Sequence, residues 1–150
     1  MKIGILLHPY GEKTPGGLGR SIYELARALV EGNDRDEFFI FVKDEPKDDL
    51  SFGGNVHVRG MHVKNLWLRG ARALDPTLDA YIFFTPVIPL GFRPKKSIVV
   101  AQDFAYLDIP KPSLSEWCKR TALYWIHAHA LLKANLIVTI SPPTQQAAMR

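Results

Sequence analysis

The chain has 150 residues, 47% of them hydrophobic and 23% charged, which suits one packed domain that buries roughly two-thirds of its unfolded surface. No apolar run approaches the ~20 residues of a membrane span. The single cysteine, Cys118, excludes an intramolecular disulfide and a zinc constellation, and a net charge of +4 is too small for a nucleic-acid footprint. Met1-Lys2-Ile3-Gly4 leads straight into an apolar segment without a signal-peptide pattern, so a cytoplasmic setting is expected.

Taken in order, Lys2 to His8 reads as a short buried strand. A Gly- and Pro-rich loop runs from His8 to Gly17. A helix is predicted from Leu18 to Glu31, with Leu18, Ile22, Leu25 and Leu29 as its apolar stripe and Gly32-Asn33 as its stop. Phe38 to Lys43 is a second apolar strand. Val56 to Val63 alternates apolar and polar residues, as a half-buried strand does. Asn65 to Leu74 is expected to be a helix. Ala80 to Phe84, closed by Thr85-Pro86, and Ser97 to Ala101, closed by Gln102-Asp103, are two more strands.

Ser113 and Glu116 form a capping box ahead of a helix reaching Ala134. Leu136 to Ile140 is a sixth strand. Ser141-Pro142 then opens a last helix, with serine as N-cap and proline at the first helical position. The alternation of strands and helices predicts an α/β fold, a Rossmann-like, mostly parallel sheet with helices on both faces. Because the final helix has barely two turns before Arg150, the chain is expected to be a piece of a longer protein.

The loop Lys13-Thr14-Pro15-Gly16-Gly17-Leu18-Gly19-Arg20 joins the first strand to the first helix. Ligands of open α/β sheets bind at the carboxyl ends of strands. The free amides and positive end of a helix favour an anion there, and glycines let a ligand approach the backbone. The dinucleotide fingerprint fails, since Ile22 stands where its third glycine belongs. A Walker A loop fails too, because Lys13-Thr14 precedes the glycines instead of following them. A plain connecting turn remains open beside the phosphate cradle.

Lys-Thr-x-Gly-Gly-Leu-Gly after a first strand resembles the amino-terminal loop of GT-B glycosyltransferases, in particular glycogen synthase and the related family 4 retaining enzymes. Two further segments carry the resemblance. Ser97 to Pro110 is similar to the family's strand that ends in His-Asp before an apolar run and a proline. Ala134-Asn-Leu-Ile-Val-Thr-Ile-Ser141 is similar to its Ala-Asp-x-Ile-Ile-x-Val-Ser segment.

The resemblance implies an amino-terminal, acceptor-side domain facing a donor-binding domain that these residues do not include. It implies a hexosyl transfer from a nucleoside diphosphate sugar to the hydroxyl of a carbohydrate, lipid-linked or small-molecule acceptor, with retention. It implies no cofactor, no metal and no nucleic acid, and the fragment alone is expected to be inactive. Lys13, Gly16, Gly17, Leu18 and Gly19 would face the donor phosphates. His8, Thr85, Gln102, Asp103 and Ser141 would line the acceptor cleft. The family commonly has His where Gln102 stands. Glutamine hydrogen-bonds but does not titrate, so no catalytic residue is assigned, and Asp103 reads equally as a turn aspartate.

Two other readings stay open. A dinucleotide-dependent oxidoreductase or epimerase would use Asp44, at the end of the second strand, for a ribose. A non-catalytic sugar- or nucleotide-binding domain is compatible with Gln102. Lys64, Trp67, Arg69 and Arg72 mark a basic helix, read as a solvated face or as a peripheral contact with the inner side of a membrane. His127 and His129 are too close in sequence to share a helix face and read as structural. Trp117, Tyr124 and Trp125 read as core or interdomain packing.

Overall fold

The computed structural model describes residues 1–8, 16–43, 50, 52–53, 55–107 and 113–149. Six strands form one sheet: β1 (Lys2–Leu6), β2 (Glu37–Val42), β3 (Val56–Gly60), β4 (Ala80–Phe83), β5 (Ser97–Ala101) and β6 (Leu136–Thr139). Their spatial order is β3-β2-β1-β4-β5-β6, and every adjacent pair is parallel. Four helices complete the α/β, Rossmann-like arrangement: α1 (Gly17–Glu31), α2 (Leu66–Arg69), α3 (Leu114–Lys133) and α4 (Pro142–Ala148).

Parallel strands need crossovers, and these are right-handed. From β1 the chain winds towards β3; from β4 it winds towards β6. Opposite winding directions put the helices on opposite faces. The side chains follow the period of two that a strand imposes. Ile5, Leu7, Phe38, Ile40, Val42 and Phe84 meet Ile22, Ala26 and Val30 of α1 on one face. Leu6, Phe39, Phe41, Tyr81, Phe83 and Val99 meet Leu66 and Ala130, from α2 and α3, on the other.

Gly4 is fixed by packing. A Cβ there would run into the ring of Tyr81. That ring cannot yield, because it is fully buried and its hydroxyl donates to the Asp75 carbonyl (2.8 Å) and accepts from the Asp75 amide (2.9 Å). Burial also raises the phenol far above its ordinary range.

Several expectations need correction. The buried stripe of α1 is Gly19, Ile22, Ala26 and Val30, while Leu18, Leu25 and Leu29 are exposed. The small residues let the helix lie close to the sheet, and the leucines flank that contact. β3 stops at Gly60 rather than Val63. Met61 still donates to the Val42 carbonyl (2.8 Å), but His62 has φ 51° and turns the chain away.

The helix expected from Asn65 to Leu74 is the single turn α2, capped by the Asn65 side chain on the Leu68 amide (3.0 Å), followed by a 3-10 turn over Gly70–Arg72. Trp67 is not presented to solvent on a basic face. It is half-buried, its ring meets that of His129 edge-on at 6.5 Å, and its carbonyl accepts from the Leu90 amide (2.7 Å). Trp117, Tyr124 and Trp125 are exposed rather than packed in this domain.

Candidate functional site

A sheet whose strands are all parallel gathers their carboxyl ends along one edge, and the crevice lies where the winding reverses. Here that point falls between β1 and β4. Leu7 and His8 follow β1; Phe84 and Thr85 follow β4; Gln102 and Asp103 follow β5; Ser141 follows β6. The topology therefore brings His8, Thr85, Gln102, Asp103 and Ser141 to one rim. Lys13 and Asp44 lie outside the described residues.

The first helix begins at this rim. Gly16 is its N-cap, with φ −66° and ψ 179°, an extended conformation open to any residue. Among the described residues no side chain caps the first turn, and no acidic residue stands in it. The amides of Gly17, Leu18 and Gly19 belong to that turn, whose donors have no partner within the helix. Among the described residues a Cβ on Gly16 or Gly17 would meet nothing within 4 Å, whereas Gly19 is a buried residue of the helix. Gly16 and Gly17 thus answer to neither packing nor backbone strain among the described residues. Gly19 is buried and Leu18 is exposed. Arg20 is exposed in the next turn.

The residues after β5 and β6 are tied together. The Gln102 side-chain amide donates to the Phe84 carbonyl (3.3 Å), which bridges the ends of β4 and β5. The Gln102 carbonyl accepts from the Thr144 hydroxyl (3.3 Å). Asp103 accepts the Ala105 amide (3.2 Å), closing a turn. Ser141 caps α4 by accepting the Thr144 amide (3.3 Å), and its hydroxyl lies 2.9 Å from that of Thr144. Thr85 is buried, and its carbonyl accepts from the Val87 amide (2.7 Å). Position 102 therefore holds the rim together through one side-chain N–H and its own backbone carbonyl. Asp103 is a turn aspartate, and Ser141 is a cap.

The sequence reading passed over an aromatic recess that begins where β5 ends. Phe104, Tyr106, Tyr124, His127, Leu131 and Ile137 line a cavity of about 380 Å³ between the β5 loop, α3 and β6. The His127 ring meets Tyr106 at 5.2 Å and Phe104 at 5.8 Å, both edge-on. Burial lowers the His127 imidazole below its usual range, against the opposing pull of the Asp103 charge. Its Nδ1 is buried without a hydrogen-bond partner. The signal was present as Tyr124, His127 and Leu131 at i, i+3 and i+7 on one helix face.

Among the described residues no three His, Cys, Asp or Glu side chains gather as a metal-ligand set, and no helix is long and apolar enough to cross a membrane. No family model, curated protein or solved structure matches the chain.

Proposed function

We propose that this domain forms the acceptor-side half of a glycosyl transfer site, in which the start of α1 meets the diphosphate of a nucleoside diphosphate sugar. The observation that carries the reading is the first turn of α1 at the winding reversal, which no side chain among the described residues caps and where Gly16 and Gly17 meet none of them in the place of their side chains. Amides aimed at a departing diphosphate stabilise the charge that develops on it, and they need no reorganisation to do so. The sugar would pass to an acceptor hydroxyl bound along the rim of His8, Thr85 and Gln102. Gln102, already holding the Phe84 carbonyl, orients and binds; it moves no proton. The remaining donor contacts belong to a facing domain, as the resemblance to family 4 enzymes implies.

The strand order is also that of dinucleotide-binding domains. Against that reading, Ile22 fills the position where a glycine would let helix and strand approach, and it is fully buried there. Titration of the chain with UDP-, GDP- and ADP-glucose and with NAD, followed by amide shifts in NMR spectra, separates the two. Shifts at Gly16 to Arg20 with a nucleotide sugar, lost in Gly17→Val, are expected. Saturable NAD binding with no response to any nucleotide sugar would sink the proposal.

A further inference from the structure

Cations at the two edges of the sheet are treated differently. At the amino ends of the strands they are matched: the Met1 amine with Asp36 (2.5 Å), Lys2 and His57 with Glu37 (3.7 and 2.9 Å), and Lys95 with Asp79 (3.6 Å). Beyond the carboxyl end of β3 they are not. Lys64, Arg69 and Arg72 are exposed, and none pairs with an acid among the described residues. Unmatched cations gathered in one place raise a positive potential that draws anions.

A groove runs between them. Arg69 and Arg72 stand three residues apart, on α2 and the turn after it, and both line an open recess of about 770 Å³. Its other walls are apolar: Met61, Val63, Leu68 and Ala73. Val63 is shared with an adjoining recess that carries His62 and Lys64. The left-handed backbone of His62, at φ 51°, turns the chain off β3 into this position.

The lining selects the ligand. A guanidinium offers a planar fork of donors that matches phosphate oxygens. A bare phosphate would use the cations and leave the apolar walls in water. A neutral hydrocarbon would use the walls and leave the cations unmatched. A bilayer surface fits poorly, because the apolar part is a recess and not a protruding face. Trp67, the side chain suited to an interface, packs inward on the ring of His129.

We propose that this groove binds a phosphate monoester with an apolar body, its phosphate on Arg69, Arg72 and Lys64 and its body along Val63, Leu68 and Ala73. The groove lies on the same sheet edge as the start of α1, since β3 is two strands from β1. To take this molecule as the acceptor rests on the glycosyl-transfer reading; the binding itself does not.

The test titrates hexyl phosphate, inorganic phosphate and 1-hexanol into the chain without any nucleotide sugar, followed by amide NMR shifts. Shifts from Met61 to Ala73 report this groove, and shifts from Gly16 to Arg20 report the start of α1. Hexyl phosphate should saturate the groove and bind about tenfold more tightly than inorganic phosphate, or better, through its buried chain. Hexanol should not saturate it.

The double variant Arg69→Gln, Arg72→Gln should weaken hexyl phosphate about tenfold or more. These side chains are exposed, so the fold is kept. Leu68→Ser, also at an exposed position, should bring hexyl phosphate towards inorganic phosphate and leave the latter unchanged. Arg93→Gln with Lys96→Gln removes the same charge ahead of β5, at the other edge, and should change nothing. No saturable binding of hexyl phosphate, an affinity no better than that of inorganic phosphate, or an equal loss in the Arg93 and Lys96 control would overturn the proposal. So would pelleting with phosphatidylglycerol vesicles by a chain that ignores hexyl phosphate, which would assign these cations to a bilayer. Because no donor is present, failure here leaves the nucleotide-sugar titration intact, and failure of that titration leaves this groove standing.

Discussion

β2 and β6 are both short apolar strands of the same sheet, yet their side chains meet opposite fates. In β2 the five residues Phe38 to Val42 are all buried. In β6 Leu136, Ile137 and Val138 are exposed, as is Ile140 just beyond. β2 is paired on both sides, with β1 and β3, and both its faces are covered. β6 is paired with β5, and among the described residues it has no second neighbour. Hydrophobicity along a segment states what a strand could bury. Its place in the sheet decides what it does bury.

Truncation breaks this comparison most sharply. Phe41 is fully buried and its ring lies 5.9 Å from that of Tyr81. Phe41→Ala removes the ring's transfer energy and leaves a cavity, at a cost of about 3–5 kcal/mol. Ile137→Ala, in the matching open strand, should cost less, about 1–2 kcal/mol, since 39% of that residue stays in water. Urea unfolding of the two variants reads the difference directly. Equal losses would mean that β6 is as tightly enclosed as β2, which its exposure denies.

Glycines offer a narrower contrast. Gly4→Ala drives a methyl into a ring held by two hydrogen bonds to Asp75 and should cost about 1–3 kcal/mol as overpacking. Gly17→Ala meets open space in the first turn of α1. It should be neutral or stabilise by up to about 1 kcal/mol, because the unfolded chain loses freedom. A Gly17→Ala variant as damaged as Gly4→Ala would show that the start of α1 is packed. It would then be unfit to receive a ligand.

What the sequence made legible divides along the same line. Local signals were read correctly. β5 runs over Ser97–Ala101 as expected, the Ser113–Glu116 capping box is reciprocal at 2.8 Å and 3.3 Å, and Ser141 caps α4. Each depends on neighbours a few residues away. In the stripe of α1 Ile22 is buried as expected, but Leu18, Leu25 and Leu29 each give way to the next residue. Leucines are more apolar than Gly19 and Ala26, but only small side chains let that helix approach the sheet.

The site was half legible. That Gln102, Thr85 and His8 share a rim follows from strand ends alone. That Gln102 grips the Phe84 carbonyl, or that His127 faces Phe104 and Tyr106, depends on pairings about twenty residues apart or through the sheet, which no periodicity encodes.

The smallest effect separates the two halves by pH. Burial holds His127 below its ordinary range, so the folded protein keeps the imidazole neutral where the unfolded chain would protonate it. Folded stability therefore falls as pH drops through about 6.5, the unfolded value, and the fall ends once the folded histidine also takes its proton. Asp36 and Asp79 act in the same direction at lower pH. The N-terminal amine holds Asp36 down and the Lys2 amide holds Asp79 down, both at the amino end of β1. Their contribution is present above about pH 4 and is lost as pH falls further. Urea midpoints of the wild-type chain should thus decline in two steps. His127→Phe should flatten the step between pH 7 and pH 5 while leaving the acid step unchanged; Asp79→Asn should shrink the acid step and leave the upper one. If His127→Phe keeps the full decline near pH 6.5, the imidazole is solvated in the folded protein and the recess beside α3 is wetter than its lining indicates.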